Sequence, residues 1–490
     1  MVKRYFILLA FIVLLLFSCK KDVLIPDPEP DPKPNKPSNE YVNSWIYDEM
    51  SFWYLWNRNI PTSRRLDFKS HPEDFFESVL YKRGAIDGDR FSWIQEDFVE
   101  LLDLLSGVTP YDIGFEYIGY LIDDKTREIV GQIAYVKPGT DAEVMGLKRG
   151  DLFTKVNGTK LNTTNWRDLL SGSEISATIT FVDANTGATT DKTVKKIANY
   201  AEDPVYFDSV FNENGHKIGY LVYNFFASGP NYGNFSYDKE LNDVFGRFKS
   251  EGITELVLDL RYNSGGSMIS ATLLGSMIVP NLDPNNIFTK LEYNSLIQAA
   301  LVKEYGGDIV INKLSDKLTT GEAINNIGNT IQSLYILTSN WTASASELVI
   351  NGLKPYMLGK KIFLIGRNTV GKNVGSISLY EEDDPKNKWG MQPIVCRYFN
   401  KDGNADFLNG FAPDIEELDN YLDDKLSLGD PNERMLKIAI EHITTGKYVS
   451  PLQSRSGVSD KITVGSSIEQ KAWAGKTIID DSFLKKLNIQ

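Results

Sequence analysis

Three short runs of the chain are apolar at nearly every position: Leu256-Val257-Leu258-Asp259-Leu260, Leu334-Tyr335-Ile336-Leu337-Thr338 and Ile362-Phe363-Leu364-Ile365. A strand with one face in water alternates apolar and polar residues. A strand apolar throughout is buried on both faces, which occurs almost only in parallel sheets covered by helices. A further strand pattern, Lys217-Ile218-Gly219-Tyr220-Leu221-Val222-Tyr223, precedes the runs, and residues 237–250 carry a helical charge and apolar pattern. Residues 186–445 therefore predict an α/β region with a mostly parallel sheet.

In open sheets of this kind ligands bind beyond the carboxyl ends of the strands. Each apolar run is followed there by an unusual loop. The first, Arg261-Tyr262-Asn263-Ser264-Gly265-Gly266, ends in paired glycines that let backbone N–H groups approach a bound atom. The second, Ser339-Asn340-Trp341-Thr342-Ala343-Ser344-Ala345-Ser346-Glu347, passes into a helix bearing Leu348, Val349 and Leu353. A serine at that junction lies at the positive end of the helix dipole beside free N–H donors. The third, Gly366-Arg367-Asn368-Thr369-Val370-Gly371-Lys372, brings a lysine to the same sheet edge. A hydroxyl, a base and backbone donors are what nucleophilic acyl transfer requires. The chain has three histidines, His71, His216 and His442, and none falls in these loops. A Ser-Lys dyad fits the residues present better than a Ser-His-Asp triad.

Composition narrows the alternatives. A net charge of −13 argues against a general grip on nucleic acid, which needs a basic surface. Two cysteines, Cys19 and Cys396, cannot build a disulfide framework or a Cys-rich zinc site, and the histidines lack metal-ligand spacing. Neither a metal nor another cofactor is expected.

The amino terminus speaks to compartment. Lys3 and Arg4 precede an apolar run from Tyr5 to Phe17, too short for the roughly 20 helical residues that span a bilayer. Residues 1–18 read as a signal peptide. Leu16-Phe17-Ser18-Cys19 resembles the lipobox of bacterial lipoproteins, which implies lipidation of Cys19; an ordinary secretory signal is the alternative. Residues 19–40 then carry prolines at 26, 28, 30, 32, 34 and 37, an extended spacer holding the body off a membrane. An extracytoplasmic, lipid-anchored protein is expected, most simply at a bacterial outer membrane.

Residues 41–105 show helical spacing of Trp45, Met50, Trp53 and Trp56, then Phe75, Phe76, Val79 and Leu80, and predict a small helical domain. Residues 106–185 are expected to be β-rich. Ile113-Gly114-Phe115, Lys137-Pro138-Gly139-Thr140-Asp141-Ala142, Gly146-Leu147-Lys148-Arg149-Gly150-Asp151-Leu152 and Val156-Asn157-Gly158 follow in an order that resembles a PDZ domain of bacterial proteases. In that family the apolar-Gly-apolar loop, here Ile113, Gly114 and Phe115, presents N–H groups to a peptide's terminal carboxylate, and the peptide adds as a strand. Residues 446–490 carry no interpretable motif.

Taken together, residues 106–445 resemble the C-terminal processing peptidases, serine endopeptidases of family S41 in which a PDZ domain joins a ClpP/crotonase-like core. Cys396-Arg397-Tyr398-Phe399 and Gly410-Phe411-Ala412-Pro413-Asp414-Ile415 add to the likeness. The anchor, the helical amino-terminal region and Leu428-Gly429-Asp430-Pro431 resemble its Bacteroidetes-type lipoprotein branch. The resemblance implies Ser344 as nucleophile, Lys372 as base, and the N–H groups of Gly266 and Ala345 as oxyanion donors. Ser346, two positions on, would face away from a site at Ser344. Asp259 and Arg261 are expected to support the first loop. Many members carry a glutamine four residues beyond the lysine; here Ser376 is the candidate orienting partner, and Lys372 follows Ser344 by 28 positions, a longer spacing than usual.

A lysine serves as base only when neutral. From a reference near 10.4, half-neutrality at pH 7.4 requires a fall of about 3 pH units, roughly 4 kcal/mol. Lys372 is therefore expected to be buried among apolar groups. The implied partners are protein or peptide substrates, with C-termini captured by the PDZ domain, and a membrane. Two other readings remain open: a catalytically inactive peptide- or ligand-binding protein of the same fold, and an acyl hydrolase acting on small esters.

Overall fold

The computed structural model describes residues 38–183, 185–359, 361–417, 426–448, 462–471 and 476–479. The signal peptide, Cys19 and the proline tract lie outside the described residues. At the centre is a six-stranded sheet, ordered Val205–Glu213, His216–Tyr223, Glu255–Asp259, Ser333–Thr338, Lys361–Gly366, Ile415–Glu416. Its first pair is antiparallel and the rest are parallel. The pleat sorts the apolar runs onto two faces. Leu256, Leu258, Leu334, Ile336 and Leu364 face a core shared with helices Ser236–Glu251, Met268–Ile278 and Ala345–Leu353. Val257, Tyr335, Leu337 and Ile365 pack on the opposite side against Met435, Leu436 and Ala439 of helix Arg434–Thr445. Burial on both faces is why these strands lack polar alternation.

A second six-stranded sheet lies at the carboxyl edge, ordered Gly265–Ser267, Lys476–Ile478, Val374–Ser376, Ile394–Phe399, Ile287–Tyr293, Ile311–Lys313. Two of its strands issue directly from the glycine and lysine loops. Between them runs a strand from the carboxyl-terminal segment, for which the sequence offered no motif.

The helical region holds Asn39–Trp53, Pro72–Val79 and Phe98–Leu105. Ser38 caps the first helix by accepting from the Tyr41 N–H, and Pro72 sits at a first helical turn where its missing N–H costs nothing. The buried face of the first helix is Val42, Asn43, Ile46, Met50 and Trp53, so Met50 and Trp53 of the expected helical spacing are buried there. Trp45 lies toward the rim, donating its indole N–H to Glu381. The region is completed by Trp389 and Met391, far away in sequence.

The β domain runs past the expected boundary at residue 185. Strand Thr189–Lys195 pairs with Ser176–Val182, and Ile197–Ala201 pairs with Val108–Asp112, so the domain closes near residue 201. Hydrophilic residues along 189–201 hid these strands. Strand Thr463–Ser466 adds to its other edge, antiparallel to Phe115–Leu121.

Candidate functional site

The serine loop is stapled to the glycine loop by short polar side chains. Thr342 Oγ1 donates to the Leu260 carbonyl at 2.8 Å, Ser339 Oγ to that of Arg261, and the Ala343 N–H to that of Asn263 at 3.2 Å. Ser344 sits at the N-cap of helix Ala345–Leu353 with φ 61° and ψ −110°. A non-glycine residue there is strained by about 1–3 kcal/mol, a conformation that persists only when its surroundings hold it. They do: the Ser344 N–H donates to Glu347 Oε2 at 2.8 Å, and the Ser344 carbonyl accepts from Leu348 N–H at 2.7 Å and Tyr398 Oη at 3.3 Å. Ser346 has a structural task instead, its hydroxyl donating to the Asn263 carbonyl at 3.0 Å.

Glu347 ties the serine to the lysine. Its fully buried carboxylate accepts from Thr369 Oγ1 at 2.5 Å and from the N–H groups of Gly371 at 2.6 Å, Lys372 at 2.8 Å and Ser344 at 2.8 Å. One side chain thus fixes the backbone of both residues. Burial pushes its pKa up to about 7, against the lowering effect of those hydrogen bonds. Tyr398 adds a second tie, its one hydroxyl proton shared between the Ser344 carbonyl and the nearer Lys372 carbonyl.

Lys372 is itself fully buried. Its Nζ makes no hydrogen bond among the described residues, to Ser376 or to any other group, and stands 5.0 Å from the Phe91 ring centroid. Desolvation pulls the amine down to about 7, although Asp89, Cys396 and Glu347 push the other way. The burial expected of this lysine is present, with the Phe91 ring beside the amine and the carboxylates of Asp89 and Glu347 near enough to act on it. Much of it comes from the helical region: Phe91 covers the amine, and Arg90 Nη2 donates to the Gly371 carbonyl at 2.8 Å. Asp89 holds this loop in shape, accepting from Phe91 N–H and Ser92 N–H at 2.9 Å each and from Tyr54 Oη at 2.7 Å.

Gly266 has φ 130°, and a Cβ there would meet the Phe226 carbonyl oxygen at 2.0 Å, so only glycine fits. The Gly265 carbonyl accepts from Phe226 N–H, and Ser267 N–H donates to the Phe226 carbonyl. By strand alternation the Gly266 N–H and C=O point to the opposite side, into the second sheet. Ala345 N–H, the first of the serine helix, has no intrahelical acceptor. Asp259 and Arg261 stand behind the loop in a buried network, Arg261 pairing with Asp259 at 2.8 Å and Glu433 at 2.7 Å. Tyr220 donates to Asp259, and Arg149 of the β domain stands 3.7 Å from Glu433.

In the β domain, Gly114 has φ 90°, and a Cβ would press on Thr140 Oγ1 at 2.7 Å. Its N–H is already donated to Asp112 Oδ1 at 2.7 Å, so of the three loop residues Gly114 is not a free donor. Asp112, Glu116 and Glu202 surround the buried Lys137. A cavity of about 470 Å³ opens beside this cluster, lined by Ile113, Phe115, Tyr117 and Leu170.

Glu347, Tyr398, Arg90 and Phe91 were not singled out from sequence for this site. Ser344 and Glu347 have capping-box spacing, a signal that marks their reciprocal contact. No local pattern in residues 89–92 announces that they cover a lysine 281 positions away.

Residues 217–417 match Peptidase family S41, and residues 41–93 match the Peptidase S41 N-terminal domain. Over 314 residues the chain is 24% identical to the carboxy-terminal processing protease CtpA of Bacillus subtilis (strain 168), covering 63% of this chain and 57% of that protein. Over 291 residues it is 23% identical to a Staphylococcus aureus (strain N315) protein described as "Probable CtpA-like serine protease", covering 58% and 50%. The chain thus spans about half the length of these curated relatives. A crystal structure of a candidate S41 protease from Bacteroides fragilis NCTC 9343 superposes with a TM-score of 0.64 at 28% identity, covering 86% of this chain and 99% of that one.

Proposed function

Because the chain belongs to peptidase family S41, we propose that it is a serine endopeptidase that hydrolyses peptide bonds of extracytoplasmic proteins through a Ser344–Lys372 dyad. The observation that carries this reading is the Lys372 amine, buried without a hydrogen-bond partner and lowered to about 7, on a backbone tied through Glu347 to that of Ser344. A structural lysine has no need of such a setting; a general base does.

In the proposed reaction, neutral Lys372 takes the Ser344 hydroxyl proton while Oγ attacks the scissile carbonyl carbon. The N–H groups of Gly266 and Ala345 receive the developing negative oxygen. Collapse breaks the C–N bond, the leaving amine takes the proton from the Lys372 ammonium, and water hydrolyses the acyl-enzyme with Lys372 again as base. The β domain acts as a PDZ module that recognises substrate C-termini, and its strand Phe115–Leu121 is paired with Thr463–Ser466 of the same chain. Residues 1–18 direct export and Cys19 carries the lipid that holds the enzyme at a membrane.

Incubation of the purified chain with an unfolded protein tests the reading. Cleavage should be lost in Ser344→Ala and Lys372→Ala and retained in Ser346→Ala if that variant folds. Cleavage surviving Ser344→Ala refutes the nucleophile; no cleavage by any form across several substrates turns the reading toward a binding protein.

A further inference from the structure

The carboxyl-terminal segment pairs with strand Phe115–Leu121 of the β domain and with the strands that issue from the glycine and lysine loops. Its strand Thr463–Ser466 runs antiparallel to Phe115–Leu121, with Thr463 opposite Tyr120 and Ser466 opposite Ile118, the orientation of a peptide heading toward the Ile113-Gly114-Phe115 loop. Short of that loop it turns. Ser467 Oγ accepts from Tyr117 N–H, Ile468 is fully buried, and Glu469 accepts the indole N–H of Trp341 in the serine loop at 2.8 Å. Lys471 then enters the buried acidic cluster, its Nζ 2.6 Å from Glu202 and 3.0 Å from Glu116. Without it, three buried carboxylates would share the single charge of Lys137, an arrangement with a large desolvation penalty.

Beyond this anchor, strand Lys476–Ile478 fills the gap between the glycine loop and the lysine loop, parallel to both flanking strands. Gly266 stands opposite Thr477, and since the Gly266 N–H points away from Phe226, the parallel register aims it at the Lys476 carbonyl. The group assigned above to the oxyanion thus faces a carbonyl of the chain itself. Ile479 N–H donates to the Ser376 carbonyl at 3.0 Å. Its side chain is buried beside Gly375, the strand neighbour of Cys396.

We propose that Thr463–Lys471 and Lys476–Ile479 form a built-in peptide occupant of this protease's own substrate track, and that substrates are extended chains with an aliphatic side chain at the Ile479 position which enter by displacing the second strand. The inference rests on the function proposed above in taking that track as the substrate site. The division of labour follows from the contacts: the first stretch is held by buried ions and Ile468, whereas the second is a three-residue strand whose loss leaves the anchor in place. Tethered nearby, the strand competes at high effective concentration, so a free peptide must overcome an intramolecular rival.

The test reads binding rather than cleavage, in Ser344→Ala full-length chain, with a fluorescent peptide reproducing residues 471–485. Adding Ile478→Pro and Ile479→Asp, which remove the strand's N–H and its apolar plug, should tighten peptide binding at least tenfold. Equal affinity in the two forms overturns the proposal. Should the double change impair folding, the unaltered tail gives the answer: saturating peptide should accelerate amide exchange at Ile478 and Ile479 in Ser344→Ala, and unchanged exchange overturns it. Loss of hydrolysis by every form, with this competition intact, would refute the protease reading while leaving the occupancy standing.

Discussion

Two buried titratable groups meet at the site, and their shifts have opposite consequences. Glu347, raised to about 7 chiefly by burial, binds its proton more tightly in the folded chain, so stability falls as pH rises from about 4.5 to about 7. Lys372, lowered to about 7 from 10.5, binds its proton less tightly in the folded chain, so stability rises from about 7 toward 10.5. Glu347→Gln should therefore flatten the fall below pH 7 in denaturant titrations and leave the rise above it. Because an amide nitrogen would face N–H donors that now meet a carboxylate, the same change should cost about 1–3 kcal/mol near neutral pH. Gly266→Ala should lower kcat/KM at least 100-fold, since its Cβ would strike the Phe226 carbonyl and push the N–H off line. Ser344, Lys372 and Gly266 stood out because the loops that carry them follow buried apolar strands, and the family resemblance picked them out within those loops. Glu347 was not singled out, since its role as a four-way acceptor depends on residues 369–372 folding back onto it.

At the level of elements, the strands were readable because burial on both faces leaves an unmistakable apolar run, and the helix over residues 236–251 because Leu241, Val244, Phe245 and Phe248 recur at its period. The strands at 189–201 were not: their side chains are mostly exposed, and pairing rather than hydrophobicity forms them. Nor was the role of the loop Asp89–Ser92, whose local sequence reads as a turn. Phe91→Ala removes the ring over the Lys372 amine and admits water. The apparent pKa governing kcat/KM should move upward from about 7 by one unit or more, with activity recovered at alkaline pH, in a pH–rate profile. A profile that simply scales down would mean that Phe91 supports the loop without desolvating the lysine.

Across the whole molecule, the site depends on parts distant in sequence. The helical region covers the lysine, the β domain's Arg149 reaches the Glu433 network behind the glycine loop, and the carboxyl-terminal segment joins the sheets of both domains. Those last contacts were invisible beforehand because strand addition uses backbone groups, which leave little trace in side-chain pattern. The proposed lipid anchor is tested separately: Cys19→Ser should shift the chain from the membrane pellet to the soluble extracytoplasmic fraction without altering cleavage by the purified protein. The central claim, that Ser344 is a nucleophile activated by a neutral Lys372, is tested most directly by the pH dependence of labelling with a fluorophosphonate, followed by peptide mass spectrometry. The adduct is predicted on Ser344, forming at a rate that rises through an apparent pKa of about 7 and is lost in Lys372→Ala. An adduct on Ser346, or labelling of Ser344 that is indifferent to pH and to Lys372, would contradict it.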